Sequence, residues 1–253
     1  MILKKGRLLF LWLVISLSAS AQVDKIDADR PDQTESAVLT PRKWVQLEMG
    51  LNMQQNSPSA NEYLLPTLLT KYGISKRFEF RLITSIKRIN DGNGYTTGLD
   101  PVEIGTRIAL TEEKKWRPKT SLLVHVVLPH VASKKLRADK LAPNFKFSMQ
   151  NSISKVLGIG YNLGGEWDGF SNTPAWIYTF SPGFNLGEKW YVYIEAFGEF
   201  KKAEPAQHNI DGGIAYYIGN NTKVDISSGL GISKESPDWY IGAGISVRFK
   251  TGR

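Results

Sequence analysis

The sequence predicts an all-β fold, a transmembrane antiparallel β-barrel of about 12 strands, on three observations. Between Trp44 and Phe249 the chain divides into segments of roughly ten residues in which apolar side chains alternate with polar or small ones, the period of a strand with two unlike faces. Tight links alternate with longer ones from segment to segment. Trp116, Trp167, Trp176, Trp190 and Trp239 stand at or near segment ends, the heights at which aromatic girdles meet the membrane interfaces. The last segment shows the alternation most clearly. Trp239, Ile241, Ala243, Ile245, Val247 and Phe249 share one face, while Tyr240, Gly242, Gly244, Ser246 and Arg248 share the other. One face suits lipid and the other water.

The first element is a leader. Lys4, Lys5 and Arg7 precede an apolar run over residues 8–17 and the small-residue site Ala19-Ser20-Ala21, the pattern of a secretory signal peptide spanning 1–21. The run is about half of the roughly twenty residues that a spanning helix needs. Removing its three basic residues leaves 29 Lys and Arg against 24 Asp and Glu, so the net charge falls from +8 to +5. Acids and bases are interleaved along the whole chain, which argues against the clustered basic surface of a nucleic-acid binder. With no Cys, the exported chain has neither a disulfide framework nor a thiolate metal site. No later apolar stretch reaches eighteen residues, which excludes a helical membrane protein but not a barrel, where only every second residue meets lipid.

The second element, residues 22–42, lacks alternation and carries Asp24, Asp27, Asp29, Asp32 and Glu35 around Arg30-Pro31. Three readings are open. A calcium loop would need Gly and a distal Glu at fixed positions, which this stretch lacks. A plug would enter the barrel and use Asp29, Arg30, Asp32 and Glu35 against the wall, at Arg81, Arg107 or Lys146. A free tail would stay in the periplasm.

The third element, residues 43–253, is the barrel. Strands are predicted at 44–52, 63–74, 77–88, 100–110, 118–128, 144–154, 156–167, 175–186, 189–200, 209–218, 222–232 and 238–249. Tight links at 75–76, 154–155, 187–188 and 219–221 follow even-numbered strands, and the longer links at 53–62, 89–99, 129–143, 168–174, 201–208 and 233–237 follow odd-numbered ones. Outer-membrane barrels of Gram-negative bacteria combine short periplasmic turns with longer external loops, so both termini are expected in the periplasm. The middle-length link 111–117 is the exception. Pro66 and Pro182 fall inside strands, where they cannot donate to a ladder, and a bulge or a strand boundary is expected at each.

The alternation places charge of both signs inside, because a cation on the lipid face costs about 2–4 kcal/mol at the midplane. Glu79, Arg81, Glu103, Arg107, Lys146, Glu195 and Arg248 are the candidate lumen residues, joined by Glu48, Lys87, Glu166, Glu199, Asp211, Lys223 and Asp225. Tyr191, Tyr193, Phe197 and Tyr217 on the same face predict a narrow or partly occluded lumen. Inward glycines such as Gly160, Gly229 and Gly244 make room for large neighbours. No enzyme is predicted: Ser121 and His125 share a strand face about 13 Å apart, His130 and Ser133 share a loop, and His208 stands alone. No cofactor or metal site is predicted.

The stretch Asp27-Ala28-Asp29-Arg30-Pro31-Asp32-Gln33-Thr34-Glu35-Ser36, followed by Thr40-Pro41 and by Trp44-Val45-Gln46-Leu47-Glu48-Met49-Gly50, resembles the opening of the outer-membrane family named for the meta-pathway of phenol degradation. Lys43 stands where that family has Gly. The resemblance implies an outer-membrane barrel that passes hydrophobic or aromatic compounds. Phe249 resembles the aromatic residue that closes a barrel-assembly signal, although residues 250–253 trail behind it. The expected activity is therefore passive movement of a small solute by a monomer, with outer-membrane lipid and the barrel-assembly machinery as partners and no nucleic acid. A closed structural or adhesive barrel is the alternative, and an outer-membrane lipid-modifying enzyme a further one.

Overall fold

The alternating segments pair into one closed sheet in the computed structural model, which describes residues 24–252. The leader lies outside the described residues. The strands are β1 (Trp44–Ser57), β2 (Ala60–Gly73), β3 (Phe78–Asn90), β4 (Tyr95–Leu99), β5 (Val102–Thr111), β6 (Lys119–Leu128) and β7 (Ala142–Ser152). They continue with β8 (Leu157–Glu166), β9 (Ala175–Leu186), β10 (Trp190–Lys201), β11 (Gln207–Tyr217), β12 (Thr222–Gly231) and β13 (Trp239–Lys250). Neighbours in sequence pair antiparallel, and β1 against β13, from Trp44 opposite Lys250 to Gln55 opposite Trp239, closes the ring.

Thirteen strands make twelve staves, because β4 and β5 are two halves of one. The inner half of β3 pairs with β5, Phe78 opposite Ile108, and its outer half with β4, Asn90 opposite Tyr95. Asp100-Pro101 interrupts the stave between them. A proline cannot donate to the ladder, and the register shifts by one across the break.

The links that follow β2, β7, β9 and β11 lie at one end of the barrel, here the turn end, and the other end is the loop end. Two expected loops are largely strand. Residues 53–62 were expected as a loop, yet β1 and β2 extend to a tight hairpin at Pro58-Ser59, and β3 and β4 absorb most of 89–99. Polar side chains such as Gln54, Gln55 and Asn61 conceal such an extension in the sequence, since a strand beyond the lipid no longer needs an apolar face. Pro66 lies at a register shift between Leu64 and Thr67, as a bulge requires. Pro182 departs from the expectation. The β9–β10 ladder skips Ile194 and Glu195 opposite Pro182 and Ser181, and the register on either side is unchanged.

The two faces separate as the period demands. Ile194, Leu163, Leu230 and Ile226 are exposed on the outside, where lipid would cover them, while Arg81, Arg107, Glu79, Ser121, Ser148 and Asn162 are fully buried inside. The interior is thus polar, and what it packs against is a further piece of chain.

Candidate functional site

Residues 24–42 run inside the barrel. They enter at the turn end, where Ile26 N donates to Asn220 O at 2.8 Å, and return to it, where Lys43 N donates to Gly73 O at 2.8 Å. A backbone without a ladder of its own needs acceptors and donors from elsewhere. The wall supplies them. Gln33 N donates to Glu195 Oε2 at 2.7 Å, Glu35 N to Asn162 Oδ1 at 2.7 Å, Ala37 N to Gln150 Oε1 at 3.2 Å and Thr40 N to Glu79 Oε2 at 2.6 Å. In return, Arg107 donates to Val38 O at 2.9 Å and Gln46 to Asp27 O at 2.8 Å.

A charged cluster forms where this segment crosses β2, β3 and β5. Register sets it up: Lys71 lies opposite Arg81, and Glu79 opposite Arg107. Asp29 completes it, 2.9 Å from Lys71, 2.8 Å from Arg81 and 2.8 Å from Arg107. Glu35 lies 2.9 Å from Arg81 and 2.8 Å from Arg107, both through Oε2. Glu79 approaches Arg81 at 3.2 Å, and Lys71 also pairs with Glu48. Without Asp29 and Glu35 the wall would hold three buried cations against two carboxylates. Leaving a buried charge unpaired is strongly unfavourable, so the segment and the wall need one another.

Arg30 and Asp32 serve the same segment elsewhere. Arg30 reaches Asp225 at 2.9 Å, its N–H donates to Glu48 at 3.1 Å, and Lys223 donates to its carbonyl. Its guanidinium crosses Gly50 and Gly244, where a Cβ would stand 2.0 and 2.2 Å from it. Asp32 accepts from Ser181 and Tyr191 at 3.3 Å each. Glu195 receives Thr34 as well as Gln33, and Thr34 also meets Thr179 at 2.6 Å. Arg248 donates to Asn221 at 3.0 Å and to the carbonyl of Asp24 at the turn end.

Lys146 does not join the segment, contrary to expectation. It pairs with Glu166 at 3.0 Å, nearer the loop end, because its strand crosses the segment at Gln150 instead. Glu103 faces the same outer space, 3.9 Å from His125 Nδ1. His125 Nε2 accepts from Arg81 Nε at 3.0 Å, and His208 Nδ1 meets the Tyr178 hydroxyl at 2.9 Å. Among the described residues no three His, Asp or Glu side chains converge on a metal position. The acids of a calcium loop would have to face one another, whereas Asp29 and Glu35 face cations.

Lys71, Thr34, Asn162 and Thr179 were not anticipated. Lys71 sits among Leu64, Leu65, Leu68 and Leu69, where apolar residues on both faces hide the phase. The signal for Asn162 and Thr179 was small polar residues at inward positions on successive strands, since Ser148, Asn162 and Thr179 pair in register from β7 to β9.

Two cavities flank the segment. One of about 520 Å³ opens toward the turn end between the segment and β7 to β10, lined by Asp32, Met149, Ile159 and Tyr191 among others. One of about 160 Å³ lies toward the loop end, lined by Glu103, His125, Lys146 and Glu166. Glu35 lines both.

A family model described as "Putative MetA-pathway of phenol degradation" matches residues 28–249. No curated protein matches the sequence. Among solved structures the chain is similar to an outer membrane channel from Pseudomonas putida F1, with a TM-score of 0.67 at 9% identity, covering 89% of this chain and 100% of that one. It is also similar to the KdgM porin in complex with disordered oligogalacturonate, TM-score 0.56 at 10% identity over 81% and 99% of the two chains. The NanC porin follows with a TM-score of 0.53 at 9% identity over 80% and 98%. These likenesses concern the fold: a barrel of the outer-membrane channel and porin type.

Proposed function

The chain belongs to the MetA-pathway of phenol degradation family, matched over residues 28–249, and on that premise we propose that it is a passive outer-membrane conduit for small solutes, closed at rest by residues 24–42. One observation carries this reading. The lumen is filled by a segment of chain held through exchangeable polar contacts rather than by wall side chains packed against one another. In a purely structural barrel, cross-strand pairs would suffice to satisfy the interior.

The turn end faces the periplasm in this account, and the loop end faces outward. Solute enters past Glu103, Lys146 and Glu166, meets the barrier at Glu35, and leaves through the larger cavity, whose volume lies in the range of small-molecule sites. Tyr191 and Tyr217, whose rings turn inward, give that cavity ring surface beside its charges, which suits an aromatic solute. No step of the passage makes or breaks a covalent bond, and the chain is not an enzyme in this reading.

Liposome swelling with a small neutral sugar tests the conduit. Full-length protein that has folded, judged by heat-modifiable migration on a gel, should admit the sugar slowly, and loosening the segment should speed entry. Vesicles that stay closed with every variant would favour a structural barrel.

A further inference from the structure

We propose that the Arg81–Arg107 pair is a binding site for the carboxylate of an organic anion, and that Glu35 occupies it at rest in the solute's place. The inference rests on the conduit reading and names the class of solute that opens it.

Both guanidinium groups are fully buried, and Glu35 Oε2 bridges them at 2.9 and 2.8 Å. Glu35 is the group at this point that also lines both cavities, whereas neither arginine lines either one. The carboxylate of the segment is therefore what separates the arginines from arriving solute. Asp29 is held differently, by three cations at once and by the Ser36 N–H at 3.0 Å, so it stays when Glu35 leaves.

The arginines have capacity to spare. A guanidinium presents paired N–H groups that match the two oxygens of a carboxylate. On Arg107 the buried Nε has no hydrogen-bond partner, while Nη2 is shared between Asp29 and Glu35. Glu35 is tethered through its own N–H and carbonyl to Asn162, at 2.7 and 3.0 Å, and reaches the pair with one oxygen. A free carboxylate carries no such tether and can turn both oxygens to the fork. Charge is conserved in the exchange, one carboxylate replacing another, so the buried cations are never left unpaired. A neutral molecule of the same shape offers no replacement for Glu35 and cannot drive it out.

Glu35→Ala and Glu35→Gln, each folded in detergent and checked by heat-modifiable migration, test this with benzoate as the probe and benzamide as its neutral counterpart. Equilibrium dialysis should show benzoate bound at least about tenfold more tightly by Glu35→Ala than by the unaltered chain, about 1.4 kcal/mol. Glu35→Gln should show the same direction, since an amide competes less well for two arginines, and keeps the test open if the alanine variant does not fold. Adding Arg107→Gln should abolish the gain. Equal benzoate binding with and without Glu35, or benzamide bound as well as benzoate, would overturn the proposal. Sugar entry into liposomes is read in parallel, so a conduit that conducts but ignores benzoate would refute the anion site alone.

Discussion

Asp29 and Arg107 lie 78 positions apart in the sequence and 2.8 Å apart in the barrel, the carboxylate accepting from Nη2. The contact joins the inserted segment to the wall at a fully buried guanidinium, and Lys71 and Arg81 converge on the same carboxylate.

Asp29→Ala should therefore release the segment. It removes the shared partner of three buried cations, a change on the order of 3 kcal/mol. Amide hydrogen exchange should rise over residues 24–42 while the strands keep their protection. Protection unchanged in the segment would mean that its backbone contacts to Glu195, Asn162 and Glu79 hold it alone.

Gly50→Ala should loosen the segment without touching its sequence. The added Cβ would stand 2.0 Å from Arg30 Nη1, so the guanidinium must move away from Asp225. Gly158→Ala is the control, since its Cβ would meet nothing nearer than Asn151 O at 3.8 Å. Cleavage after Glu35, at the Glu35-Ser36 bond, by a glutamate-specific protease should accelerate in the first variant and not in the second.

Ser148→Ala should change stability by no more than about 0.5 kcal/mol. Its Oγ is buried without a hydrogen-bond partner, so the hydroxyl contributes little that a methyl group would lose. Urea unfolding of the barrel in vesicles measures this.

Ile194→Arg should cost about 2–4 kcal/mol in the same assay, because Ile194 is central in β10 and 62% exposed on the face that meets lipid. A cost near zero would place that position outside the membrane.

These predictions draw unequally on what the sequence discloses. The wall was legible, because a period of two separates Ile241 and Phe249 from Ser246 and Arg248 wherever one face meets lipid. Strand ends beyond the lipid were not: residues 53–62 lose the apolar face that would mark them. The acids of residues 24–42 announced a polar role, yet Asp29 finds its partners only through the register that sets Lys71 beside Arg81. Lys146 shows the limit. The alternation placed it inward, but only the height of its strand relative to the segment gives it Glu166 as partner instead.

The most direct test of the plug is single-channel conductance in planar bilayers, comparing the full chain with a variant lacking residues 24–42. The account predicts a larger and steadier open level in the shortened protein. Equal conductance in the two, or silence from both although each migrates as a folded barrel, would contradict it.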